Sequence, residues 1–148
     1  MIKIRKATTA DAQVIIDFQQ RMAWETERLR LVPEILSNGV NAVFSNCSCG
    51  QYWVAEKGEK VIASLLITYE WSDWRNGNVW WFQSVYVLPE WRRKGIFRSL
   101  YLHIKAEAEQ QAVAGLRLYV EINNSVAQKT YEAMGMHCEH YKMYEWLK

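Results

Sequence analysis

Val85-Tyr86-Val87-Leu88-Pro89-Glu90-Trp91-Arg92-Arg93-Lys94-Gly95-Ile96-Phe97-Arg98-Ser99-Leu100 is the stretch on which the reading of this chain turns. Its β-branched and aromatic start reads as a strand. Pro89 cannot donate to a ladder and marks where that strand stops pairing. A basic cluster and a glycine then open a helix, because Ile96, Leu100, Ile104 and Ala108 recur at intervals of four. The amides at such a helix start lack intrahelical partners and sit at the positive end of the helix dipole, which suits phosphate. Arg92, Arg93, Lys94 and Arg98 add charge to the same place.

Upstream, Gln51 to Glu56 and Val61 to Tyr69 read as strands joined by the turn Lys57-Gly58-Glu59-Lys60. Asn76-Gly77 is a strong hairpin signal before the strand Val79 to Val87, so the middle of the chain is an antiparallel meander. Ile2 and Ile4 alternate with Lys3 and Arg5 as a half-buried first strand would. Thr8 or Thr9 caps a helix carrying Val14, Ile15, Phe18 and Met22, and Trp24 to Glu27 is expected at a helix junction. A second helical piece is expected from Arg28 to about Leu36, ended at Ser37-Asn38-Gly39. Downstream, Leu116 to Glu121 reads as a strand, Asn123-Asn124-Ser125 as a capped turn and Val126 to Met134 as a short helix. Met136 to Leu147 reads as a last strand or pair of strands. The economical architecture is a mixed α/β sheet with helices on both faces, one domain over residues 1–148.

Bulk properties narrow the function. Half the residues are hydrophobic and 23% are charged, an ordinary globular composition. A net charge of +2 argues against a nucleic-acid surface, although the basic patch and aromatics are the elements of one. Eight tryptophans and eight tyrosines favour a cleft that encloses something. Cys47, Cys49 and Cys138 give no disulfide framework, and Cys47-x-Cys49 without a second pair or a nearby histidine is a poor metal site, so no metal is expected. A reducing cytoplasm is the expected compartment. The first residues, Met1 to Lys6, resemble neither a signal peptide nor a membrane span.

Two separated motifs together resemble the Gcn5-related N-acetyltransferase (GNAT) family. Arg92-x-x-Gly95 between a strand and a helix is similar to that family's acyl-coenzyme-A pyrophosphate loop. Asn124-x-x-Ala127-x-x-x-Tyr131-x-x-x-Gly135-Met136 is similar to its second motif, and the element order agrees along the whole chain. The resemblance implies a GNAT-like fold with a central, mostly antiparallel sheet, and acetyl-CoA as co-substrate. It places the pantetheine on Val85, Tyr86 and Val87, as an added strand would pair there. It places the pyrophosphate on Arg92, Arg93, Lys94, Gly95, Ile96, Phe97 and Arg98, with Asn124, Ala127 and Tyr131 also against the cofactor. Phe97 departs from the pattern, which usually has Gly or Ala there, so its ring must turn into the core or narrow the site and leaves acyl preference open.

The implied chemistry is direct attack of a primary amine on the thioester through a tetrahedral intermediate. Tyr131 is then the general acid for the leaving thiolate, and the Val85 N–H polarises the thioester oxygen. Trp81 and Gln83 stand where some relatives carry a Glu or His base. Glu25, Glu27, Glu70 and Asp73, among Trp24, Trp71, Trp74, Trp80 and Trp81, are the candidate carboxylates of a pocket for a small cationic amine. Glu25, Glu27, Glu70, Trp71, Asp73, Trp81 and Gln83 are thus the expected acceptor residues. Protein or peptide N-acetylation and a non-catalytic acyl-CoA sensor are the competing readings. A homodimer with the aromatic last strand as its edge is compatible with the pattern, and no membrane partner is expected.

Overall fold

In a computed structural model, residues Met1–Lys148 are all described, and they form two compact units, Met1–Leu118 and Tyr119–Lys148. The first unit is built on a sheet of five strands: β1 (Ile2–Lys6), β2 (Gln51–Lys57), β3 (Lys60–Ser72), β4 (Gly77–Val87) and β5 (Gly115–Arg117). They lie side by side in chain order. The first four are antiparallel, so the expected meander is present, and β4 with β5 is parallel. Parallel neighbours need a crossover, and helix α3 (Ile96–Gln110) supplies it. Helices α1 (Ala12–Glu27) and α2 (Pro33–Ser45) precede β2. The fold is the expected mixed α/β sheet. No helix is long and apolar enough to cross a membrane.

Alternation along the strands divides the core between two faces. Tyr52 and Val54 of β2 pack with Ile15 of α1 and Val40 of α2. Trp53, between them in sequence, meets His103 of α3 on the other face, with ring centroids 5.2 Å apart. Helix α3 buries Ile96, Leu100, Ile104 and Ala108, the residues its four-residue spacing predicted, and adds Tyr101. The start of α1 is fixed from β1. Thr8 and Asp11 form a capping box around the 3-10 turn Thr9–Asp11 that leads into α1, and the Asp11 carboxylate takes both terminal nitrogens of Arg5 at 2.8 and 3.0 Å. Arg5 also holds Glu56 of β2 at 2.8 Å, so one guanidinium joins two strands to the helix start.

Three expected elements are corrected. Helix α2 runs Pro33–Ser45, not from Arg28 to Leu36. Pro33 stands in its first turn, where a missing N–H costs nothing. Leu36, Val40, Val43 and Phe44 then fall on one side against the core, and this burial carries the helix through Ser37-Asn38-Gly39. Strand β5 is three residues, Gly115–Arg117, rather than Leu116 to Glu121. In the second unit, helix α4 (Ser125–Ala133) forms as expected, ending before Gly135 at φ 89°. Residues 136–148 form no strand. An isolated strand has no ladder to join, and Tyr141, Tyr144, Trp146 and Leu147 are each more than four-fifths exposed, so burial does not hold that segment extended either.

One irregularity in β4 decides how the site is built. Leu66 pairs with Gln83 and Ser64 with Tyr86, so Ser84 and Val85 stand opposite the single residue Leu65. This is a β-bulge, with Ser84 at φ 50° in the left-handed region. In an uninterrupted strand Phe82 and Tyr86 would share a face. Here Phe82 stacks with Tyr101 of α3 at 5.7 Å, while Tyr86 meets Phe18 of α1 at 5.1 Å. The bulge therefore sends Tyr86 to the α1 side.

Candidate active site

Strand β4 pairs with β5 only over Val79–Trp81, opposite Gly115–Arg117. From Phe82 onward that edge of β4 has left its neighbouring strand, and the bulge at Ser84 and Val85 lies within the released part. The released edge leads into the turn. Leu88 N–H donates to Ile62 O at 2.9 Å, and Pro89–Trp91 forms one tight 3-10 turn. Arg93 at φ 60° and Gly95 at φ 76° are both left-handed. Such a backbone turns its amides to one side, and α3 follows at once without a side-chain cap. The first helical bond is Ser99 N–H to Gly95 O at 3.0 Å. An added side-chain carbon on Gly95 would meet nothing within 4 Å, so the turn is open to solvent at that position. These features fit a phosphate-bearing ligand.

The side chains around the turn divide. Arg93, Lys94 and Arg98 are exposed, with the Lys94 ammonium 5.3 Å from the Trp91 ring centre. Phe97 takes the first of its two expected courses: its ring turns onto the sheet, 6.3 Å from Phe82 and 6.5 Å from Tyr101. Arg92, expected on the phosphates, is turned back toward the strand and α1. Its Nε donates to Val87 O at 2.9 Å and its terminal nitrogen to Glu25 at 2.6 Å, with the guanidinium 5.3 Å from the Tyr86 ring centre. The Tyr86 hydroxyl donates to the other Glu25 oxygen at 2.8 Å. Burial alone would raise the Glu25 carboxyl, but the bonds from Arg92 and Tyr86 outweigh it and hold the group below the usual carboxylate range. Burial, then the bond to Glu25, pushes the Tyr86 phenol up.

On the same face of the sheet lies a second polar group. The Trp81 indole N–H donates to Glu70 at 3.2 Å, Arg117 donates to the same oxygen at 2.5 Å, and Gln83 reaches Thr68 Oγ1 at 3.5 Å. The Trp81 bond, with help from Arg117, holds the Glu70 carboxyl below its ordinary value. A general base for an ammonium needs the opposite shift, so neither Glu25 nor Glu70 is tuned for that task. Trp71 is exposed, and Asp73 accepts the Trp74 N–H at 2.9 Å within the β3–β4 turn. Glu27 is exposed at the last position of α1. The structure therefore joins Glu70 with Trp81, sets Gln83 beside Thr68, and separately joins Glu25 with Tyr86 and Arg92. The partners Arg117 and Thr68, and the bulge at Ser84, escaped the sequence reading. No local pattern marks them, because their roles come from cross-strand register.

In the second unit, Asn124 caps α4: its Oδ1 accepts the Ala127 N–H at 3.1 Å. Tyr131 lies one turn further on and is partly buried, which pushes its phenol above the ordinary value. A phenol so shifted stays protonated through neutral pH.

A family model described as "Acetyltransferase (GNAT) family" matches residues 13–136. Comparison with curated proteins gives no match. Among solved structures, a possible acetyltransferase from Clostridium difficile 630 is 44% identical, covering 100% of this chain and 98% of that one, with a TM-score of 0.92. A predicted acetyltransferase with acetyl-CoA from Clostridium acetobutylicum is 19% identical, covering 100% and 95%, with a TM-score of 0.75. The structure of AAC(6')-Iy in complex with the bisubstrate analog CoA-S-monomethyl-acetylneamine is 12% identical, covering 100% and 99%, with a TM-score of 0.78. The last two show likeness of fold.

Proposed function

The chain belongs to the acetyltransferase (GNAT) family, and from that premise we propose that it moves an acetyl group from acetyl-CoA to the primary amine of a small molecule. The observation that carries this reading is the continuous path from the released edge of β4, through the bulge at Ser84 and Val85, to the left-handed turn at Arg93 and Gly95. An extended amide chain ending in a pyrophosphate matches that path: strand-like pairing along Val85, Tyr86 and Val87, then amides from Arg93 to Arg98 around the phosphates. Arg93, Lys94 and Arg98 supply exposed charge beside it.

The amine nitrogen attacks the thioester carbon, and the Val85 N–H holds the developing oxyanion. As the carbon–sulfur bond breaks, Tyr131 gives its phenolic proton to the thiolate and is reprotonated from solvent. The proton lost by the amine leaves through water, because neither Trp81 nor Gln83 can take it. For a cationic acceptor, Glu27 and Asp73 supply the attraction, since neither enters an ion pair and both are exposed. Glu25 and Glu70 already balance Arg92 and Arg117. The exposed faces of Trp71 and Trp74 suit enclosure of such a group.

A screen of small amines and peptides, read by free thiol released from acetyl-CoA, tests the proposal. The expected result is amine-dependent thiol release matched mole for mole by acetylated amine. Binding of acetyl-CoA without turnover on any acceptor would make the chain a sensor, and turnover on peptides alone would make it a protein-modifying enzyme.

A further inference from the structure

Resting on that reading, we infer that Glu25 is a positioning residue for the cofactor turn, acting through Arg92. The two residues are 67 apart in sequence and meet at 2.6 Å. Both carboxylate oxygens of Glu25 accept from protein donors, one from Arg92 and one from the Tyr86 hydroxyl. Arg92 is held at two ends, by the Val87 carbonyl that closes β4 and by Glu25 near the end of α1. Its guanidinium also lies against the Tyr86 ring. The residue that follows is Arg93, the first left-handed residue of the turn. Fixing Arg92 therefore fixes the residue from which the left-handed turn starts, and the amides of the turn follow from there. A guanidinium bound in this way does its work on the backbone of the turn, leaving Arg93, Lys94 and Arg98 to face the phosphates. A carboxylate reserved for the acceptor amine would not have both oxygens taken by protein donors.

A double-mutant cycle on the full chain, read by calorimetric titration of coenzyme A, tests this. Glu25→Gln and Arg92→Gln are each expected to weaken binding by about fivefold, the upper end for a half-exposed ion pair. The double variant is expected to bind no more weakly than either single one, because both changes release the same anchor. Tyr86→Phe removes one of the two bonds to Glu25 and is expected to weaken binding in the same sense but less. S-Acetylpantetheine lacks the pyrophosphate, and its affinity is expected to be unchanged in Glu25→Gln and Arg92→Gln, a result that general damage to the fold would not give. Losses that multiply in the double variant would make Arg92 a phosphate ligand in its own right. Unchanged coenzyme A affinity in both Glu25→Gln and Tyr86→Phe would overturn the inference while leaving the proposed function standing. A wild-type chain that binds no coenzyme A would defeat the proposed function itself.

Discussion

Replacing Tyr131 by phenylalanine is expected to lower turnover by about 100-fold, within the usual contribution of a positioned general acid. The affinity for coenzyme A should stay the same, because the change removes one hydroxyl and keeps the ring. The pH dependence separates a catalytic role from a packing role. Burial raises the Tyr131 phenol, so the acid form dominates at neutral pH and is lost as pH rises through the raised value. The turnover of the wild-type chain should therefore fall on the alkaline side, and that limb should be absent in Tyr131→Phe. Equal turnover in the two proteins, measured by thiol release under saturating acetyl-CoA, would remove Tyr131 from the chemistry.

Gly95→Val should act by a different route, on coenzyme A binding rather than on turnover. Gly95 has φ 76°, and its surroundings leave ample room for a side chain. The cost is therefore in the backbone: an L-residue in the left-handed region loses about 1–2 kcal/mol, and a branched one does worse. The chain escapes that strain by abandoning the turn, which moves the amides that the phosphates need. A loss of about tenfold or more in coenzyme A affinity follows, since each 1.4 kcal/mol is about a factor of ten. Gly39→Ala is the matched control. Gly39 lies inside α2, exposed and also with open space around it, but without a left-handed φ. That substitution should stabilise the chain by about 0.5–1 kcal/mol and leave coenzyme A binding unchanged. Equal binding losses in the two glycine variants would show that the turn geometry is not what matters.

The comparison of these glycines also shows where sequence reading works. The strand, turn and helix from Val79 to Gln110 were legible because each local signal agreed with its neighbours: β-formers, then Pro89, then Gly95, then apolar residues every fourth position. The α2 region failed because Ser37-Asn38-Gly39 are terminators by local chemistry, and only the burial of Val40 and its neighbours on α2 overrides them. Residues 136–148 carry the aromatic content of a strand, but a strand is made by its partner, and pairing is invisible in one segment. The site divides along the same line. The phosphate turn was readable because its chemistry is contiguous. The Glu25–Arg92 pair was not, because nothing along the chain says which carboxylate a distant arginine will meet. The bulge at Ser84 is the hardest feature of all, since no residue from Trp81 to Val87 advertises a left-handed conformation.

Hydrogen exchange measured with and without coenzyme A tests the central claim most directly, because it reports both binding and its place. Slowed exchange is expected in peptides covering residues 85–87 and 93–98, with β1 and α2 unchanged. Saturating coenzyme A that leaves those two stretches exchanging as before, or that protects another part of the chain instead, would contradict that claim.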